Sequence, residues 1–523
     1  MRQRSLFLLL LFSMLCAPLL AQKKVKLKHA DKLRGGAKGD DGERIDWVIG
    51  NVVFVQNKTT IYCDSAQIFR ARNTVEAYGH IRITEGDSVT VTSKSLSYDG
   101  NEKIAYLRKN VVFTKLNTAV LYTDHLDYYR NKNLAKYFEG GKLVDSTNTL
   151  TSKKGYYDVS TNLASFKTDV VGYNKEYTLN SDTLQYSSKT KIVYFRDLTT
   201  VKDKDGQTAV YQNGYYDTNA KKSDLNRGDI ETPTYKMKGD KYFLDDLRKF
   251  YKAQNNVVMT SKEENMIIYG DDGFYDKKNG ISKIWNNAYV AKIADDGDTL
   301  FVAADTLVSI ESKDPRKKRL LAYNHVKIFK TDLQGVADSL AYVAIDSTIY
   351  FYKDPVLWND ENQMTGDSIR LLIKQKKIDK LYLVNNSFVV SQDSLTNYNQ
   401  IKGRKMTATF TGSKISHVVV EGNGESIYFA LDEKDIKTDS ALYKITYLMG
   451  MNRIVCSNMK INFAEGKVNN ISFYKMPDAK FIPPHEIKEP DTRLRGFIWR
   501  GEDRPDKEDV VKSKKEKQRP PDQ

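Results

Sequence analysis

The chain has 523 residues, 40% of them hydrophobic, with 82 Lys+Arg against 67 Asp+Glu and a formal net charge of +15. That length would hold three or four ordinary domains, and the positive balance suits an anionic partner. Beyond the first 21 residues only Cys63 and Cys456 remain, which excludes a disulfide-stapled scaffold.

The chain opens on Arg2 and Arg4, followed by an apolar run over residues 5–20. The run is too short to span a bilayer comfortably, so residues 1–21 read as a cleaved secretory signal. A secretory signal disfavours nucleic acid as the anionic partner. Residues 22–44 read as a lysine-rich polar leader.

Short words then repeat. Asn51-Val52-Val53-Phe54 returns as Asn110-Val111-Val112-Phe113 and Asn256-Val257-Val258-Met259, with echoes at His80-Ile81-Arg82-Ile83 and His325-Val326-Lys327-Ile328. Tyr98, Tyr128, Tyr157, Tyr186 and Tyr216 are separated by 30, 29, 29 and 30 residues. A fixed period of this size marks a stacked repeat architecture. Such a chain builds a long surface or groove and seldom a compact pocket.

Apolar and polar residues alternate between these words, as in strands with one buried face. Val52, Phe54, Ile81, Ile83, Val89, Val91, Val111 and Phe113 are the expected inward set. The recurring tyrosines, Tyr98 and Tyr128 among them, fit either an aromatic ladder inside the stack or a rim with hydroxyls at water. A third word, Asp followed by Ser or Thr, occurs at Asp64, Asp87, Asp145, Asp182, Asp298, Asp305, Asp338, Asp346, Asp367, Asp393 and Asp439. It reads as turn chemistry at the bend entering a strand.

The stack is expected over 45–200 and, in continued repeats, over 201–475. Residues 245–254 fit a short helix on propensity. A strand is preferred because they lead straight into the Asn256 word. Residues 476–500 form a last ordered patch, and 501–523, charged and poor in apolar residues, should lack structure.

No catalytic constellation emerges. The 6 histidines are scattered without metal-ligand spacing. There is no P-loop and no nucleophile elbow. The expectation is a non-enzymatic protein with no cofactor and no metal. A β-solenoid that binds or cleaves extracellular polysaccharide, and an envelope scaffold without lipid, stand as alternatives.

The Asn-Val-Val-Phe words, the stretch from Ala77 to Ile81 and the stretch from Thr92 to Tyr98 resemble the OstA-like proteins. These are relatives of the periplasmic lipopolysaccharide carrier LptA and of the N-terminal domain of the outer-membrane translocon LptD. Gly496-Phe497-Ile498-Trp499 followed by Arg504-Pro505 resembles the ending of long family members in Bacteroidetes-type bacteria. The resemblance implies an all-β fold, stacked antiparallel strands forming an elongated open β-jellyroll. It also implies a role in shielding lipid A acyl chains on the way to the outer membrane. On that reading Val52, Phe54, Ile81, Ile83, Val89, Val91, Tyr98, Val111, Phe113 and Tyr128 line a lipid-binding interior. The partners would be lipopolysaccharide and either a second copy or the OstA-type jellyroll of a translocon.

Residues 47–55 contain no lysine and no proline, so the first strand looks like an unguarded edge open to strand addition. The alternative is that the leader folds back and covers it.

Overall fold

Pairs of residues in left-handed backbone interrupt long strands throughout the chain, and the repeated words supply residues that tolerate it. The computed structural model describes residues 24–511, apart from 39–41, 88, 116–118, 232–234, 263–264, 294–296, 313, 376, 413, 439–440 and 465–466. Positive φ occurs at Gly50–Asn51, Gly79–His80, Lys109–Asn110, Asn255–Asn256, Asn286–Asn287, Asn324–His325 and Asn385–Asn386. Glycine lacks the Cβ that makes this region costly, and asparagine is the side-chain-bearing residue that visits it most readily. At each pair the ladder slips its register, as between Ile49 and Val52, Tyr78 and Ile81, and Trp285 and Ala288. A bulge of this kind bends the strand, so one long strand contributes its two halves to two half-sheets.

The aspartates face these corners from the neighbouring strand or, for Asp31 and Asp367, from the bend between two short strands. Asn51 Nδ2 donates to Asp31 at 3.0 Å, the Asn110 N–H to Asp124 at 2.8 Å and Asn287 Nδ2 to Asp271 at 2.6 Å. His80 Nδ1 pairs with Asp64 at 2.7 Å, His325 Nδ1 with Asp305 at 2.8 Å, and Asn386 Nδ2 donates to Asp367 at 2.9 Å. Thus the Asn/His word and part of the Asp-Ser/Thr word are two sides of one corner. Other copies make the expected turns. Asp145 accepts from the N–H groups of Thr147 and Asn148, and Asp393 from those of Leu395 and Asn397. Ser88 and the Asp439-Ser440 copy lie outside the described residues.

The chain forms two compact units, Met1–Lys221 and Lys222–Gln523. Position 200 lies inside the strand Thr199–Asp203 of the first unit, so it is no joint. The fold is all-β with antiparallel ladders, as the alternation implied. In unit 1, Arg44–Gln56, Thr59–Phe69, Thr74–Glu85, Val89–Asp99, Ile104–Lys115 and Ala119–Tyr129 pair in succession. From there to Asp203 several strands split at the corner. Ala119–Tyr129 pairs with Gly141–Val144 through one half and with Leu134–Tyr137 through the other.

Two expectations at the ends of the chain are corrected. The first edge is not unguarded, and the alternative holds in which the leader folds back: Lys26–His29 and Lys32–Lys38 pair with Arg44–Gln56, in registers such as Leu27↔Phe54 and Leu33↔Val48. The edge over residues 47–55 is therefore covered by strands whose Lys26, Lys28, Lys32 and Arg34 are exposed, a common guard on a sheet edge. Residues 1–21, read as a signal, lie outside the described residues.

At the other end, residues 501–511 are ordered. A strap from Pro483 onward lies across the outer face of unit 2. Phe388, Val390, Ile427, Phe429 and Met451 pack with Leu494 of the strap, and Phe497 and Trp499 join them. Three buried glutamines of that same face grip it, two of them through its backbone. Gln400 donates to the Thr492 carbonyl at 2.7 Å and accepts from the Leu494 N–H at 2.8 Å. Gln363 donates to the Ile498 carbonyl at 2.8 Å and accepts from the Arg500 N–H at 2.7 Å. Gln334 accepts from Arg504 Nε at 2.8 Å. A short helix, Lys507–Val510, closes the strap with a capping box from Asp506 and buries Val510. Side-chain amides anchor this stretch, and these are invisible to a count of its apolar residues. Residues 512–523 lie outside the described residues.

Residues 245–254 take the strand reading. Tyr235–Asp245 and Phe250–Ser261 pair through a four-residue turn, in registers such as Leu244↔Tyr251.

Candidate functional site

The inner face of unit 1 is a set of cross-strand rows. One row runs Asp46, Ile68, Val75, Tyr98, Ala105, Tyr128, Ala135, Tyr157, Ala164, Tyr186, Val193 and Tyr216, each residue opposite the next. The tyrosine beat is thus one stripe across the sheet, with a small or aliphatic residue between successive rings. Phe113, from the facing half-sheet, meets the Tyr128 ring edge-on at 5.8 Å and the Tyr157 ring at 6.0 Å.

A second row closes the opposite half-sheet at its end: Gln56, Thr59, Glu85, Val89 and Lys115. The two rows are tied across the interior. The Tyr98 hydroxyl donates to Gln56, and the Tyr128 hydroxyl donates to Glu85 at 2.7 Å. Arg130, 7% exposed, donates to the Tyr98 oxygen at 2.6 Å and pairs with Glu85 at 3.5 Å. Lys115 Nζ donates to Asn162 at 2.6 Å, and the Tyr157 hydroxyl donates to the same oxygen at 3.3 Å. Farther along, the Tyr186 hydroxyl donates to Asp145, which Lys191 approaches at 3.3 Å. Burial raises the Tyr98 and Tyr128 hydroxyl pKa values, in Tyr128 with help from the Glu85 carboxylate that accepts its proton. Both stay neutral donors at any ordinary pH. Tyr98, Tyr128, Tyr157 and Tyr186 are therefore neither a plain aromatic ladder nor a wet rim: their rings are core and their hydroxyls bond to protein.

Val52, Phe54, Ile81, Ile83, Val89, Val91, Tyr98, Val111, Phe113 and Tyr128 all point inward, and none is more than 5% exposed. The alternation placed them on the correct face. In this structure they pack on one another.

The inner face of unit 2 differs. The row Ile230, Met237, Met259, Ile268, Val290, Val302 and Ile328 runs across successive strands. Val302, with Leu300 and Leu307, packs toward the buried core formed by Ile328, Leu340, Leu357 and Leu383. From Ile230 to Val302 the row is half-exposed, whereas Ile328 is buried. An inward apolar stripe that remains partly exposed can take an apolar ligand without unfolding. Sequence reasoning named Met259 as part of a repeated word but singled out none of these residues as a lipid face, although the same alternation runs through them, because most of the row lies outside the repeated words.

Cys63 and Cys456 are both free and buried, in separate units. Among the described residues no group of His, Cys, Asp or Glu is arranged to hold a metal ion, and no helix is long and apolar enough to cross a membrane.

The family of OstA-like proteins matches residues 22–182. No curated protein matches the chain. Among solved structures 17 chains match. One is LptH from Pseudomonas aeruginosa, the LptA-homologous periplasmic component of the lipopolysaccharide transport device. It is 15% identical, with 23% of this chain and 82% of that chain covered and a TM-score of 0.20.

Proposed function

We propose, from the match of residues 22–182 to the family of OstA-like proteins, that the chain is a non-enzymatic periplasmic carrier or bridge for lipopolysaccharide. The observation that carries the reading is the half-exposed inner row from Ile230 to Val302 in unit 2. Acyl chains laid along that row are stabilised by about 0.8 kcal/mol per buried CH₂. The positive charge of the chain, +15, favours approach of an anionic head group. The ten inward residues of unit 1 are a second lipid face on this proposal, reached only when that interior opens.

Docking to another jellyroll, a second copy or that of a translocon, uses the last strands and not the first. Lys467–Tyr474 pairs with Ala441–Ala464, and among the described residues no further strand pairs with it. It contains no proline, so its free side is a template for strand addition.

Mass spectrometry of lipid extracted from protein purified out of its native envelope tests the reading. Lipid A species should co-purify. Photo-crosslinkers at Met259, Ile268 or Val290 should capture lipopolysaccharide, while the outward Tyr269, stacked on Tyr289 at 4.5 Å, should not. Protein free of lipid, or capture only from Tyr269, would end the proposal.

A further inference from the structure

The two polar rows of unit 1 have a property that an ordinary core lacks. Gln56, Glu85, Lys115 and Asp145 recur at intervals of 29, 30 and 30 residues, on the same beat as the tyrosines. The reach from tyrosine to partner is nearly constant: 42 residues from Tyr98 to Gln56, 43 from Tyr128 to Glu85 and 41 from Tyr186 to Asp145. Layer after layer, the gap between the half-sheets is closed at one side by a polar contact, while the rest of the inner face is mostly apolar, with Ser93, Thr123 and Ser152 among the exceptions. If closure were the only requirement, Leu or Val at the Gln56, Glu85 and Asp145 positions would supply it and bury more apolar surface. A polar closure behaves differently. Each tie can be exchanged for bonds to water, so the ties themselves resist parting only by the small surplus of protein over water bonding, and an entering apolar chain re-covers the apolar surface that parting exposes. An apolar seam has no such exchange.

We propose that the ties of Tyr98, Tyr128 and Tyr186 to Gln56, Glu85 and Asp145 are a latch. The latch holds the interior of unit 1 shut, and parting it opens that interior along its whole length to an apolar chain. The occupant is the lipid of the proposed function, and in that respect the inference rests on that reading. The opening itself does not, and it is measured without lipid.

Cys63 is the built-in reporter. It is 5% exposed on the inner face, opposite Val52, and burial together with the neighbouring Asp64 charge pushes its thiol pKa up to about 12. Cys456, in unit 2 and also 5% exposed, is the internal control. The full chain carrying Tyr98→Phe, Tyr128→Phe and Tyr186→Phe keeps every ring and removes every hydroxyl. Maleimide labelling is followed by peptide mass at each cysteine, with no lipid present. The expected result is labelling of Cys63 at least about tenfold faster than in the parent, given three lost hydrogen bonds, with Cys456 unchanged. An unchanged Cys63 rate overturns the latch. Should both cysteines accelerate, the single variant Tyr128→Phe decides. A selective rise at Cys63 supports the latch, and no selective rise in either variant overturns it. Because lipid plays no part in this readout, its failure leaves the lipid extraction experiment standing, and the reverse also holds.

Discussion

Tyr186 donates its hydroxyl hydrogen bond to Asp145, 41 positions earlier in the chain, and the carboxylate that receives it is 1% exposed. Burial alone would raise the pKa of such a carboxyl. The Tyr186 hydroxyl, the N–H groups of Thr147 and Asn148 and the Lys191 ammonium outweigh burial and hold it below the ordinary value. A depressed carboxyl contributes stability that is present above its unfolded pKa, about 3.9, and is lost as pH falls through the folded value. Asp145→Asn should therefore cost about 1–3 kcal/mol at pH 7. Its stability should also fall less steeply than the parent's as pH drops below about 4. Urea unfolding at a series of pH values measures both. Parallel pH profiles would show that Asp145 carries no such linkage.

At the corner formed by Asn286 and Asn287 the backbone has φ of 61° and 55°, and Asn287 Nδ2 reaches Asp271. Asn287→Val forces a β-branched residue into left-handed backbone and should lower stability by about 1–2 kcal/mol. Asn287→Gly should cost less, since glycine adopts that backbone freely. The ordering of the two melting temperatures checks the point; a Val variant that melts no lower than the Gly variant would contradict it.

Gln400→Leu leaves the Thr492 carbonyl and the buried Leu494 N–H without their partner. Two orphaned backbone groups cost about 2–4 kcal/mol, concentrated on the strap. Hydrogen exchange should speed up across residues 492–500 while the ladder between Tyr398–Thr411 and Lys414–Thr438 keeps its protection. Uniform loss of protection in both places would mean that the strap and the sheet unfold as one.

Deleting residues 24–38 removes the two lysine-bearing strands and bares the backbone of Arg44–Gln56. The exposed edge should then pair with other molecules, and size-exclusion chromatography should show self-association that grows with concentration. A variant that stays monomeric at the parent's elution volume would mean that the leader strands do not guard this edge.

The correct inward face of Phe54, Ile83 and Phe113 was legible because strand side chains alternate with period 2 wherever one face is buried. The all-β class and the stacked repeat followed from the tyrosine beat for the same local reason. The Asn and Asp words were each visible as words. Their union at one corner was not, because Asp64 and His80 come together only through the register of neighbouring strands. The candidate lipid face was also missed: Met259 and Val290 alternate like Val52 and Phe54, and what distinguishes them is solvent exposure.

By itself, the sequence determined which residues turn inward, where strands bend and how often the pattern returns. These are properties of adjacent residues: side-chain alternation, the left-handed tolerance of Asn and Gly, and a fixed period. Only the tertiary structure decided that the leader covers the first edge, that three glutamines hold a strap drawn from residues up to 170 positions away, and that unit 1 is tied shut while part of the inner face of unit 2 stays partly exposed. Those outcomes depend on how far apart two half-sheets stand and on which polar groups meet across the gap, distances that no local pattern encodes.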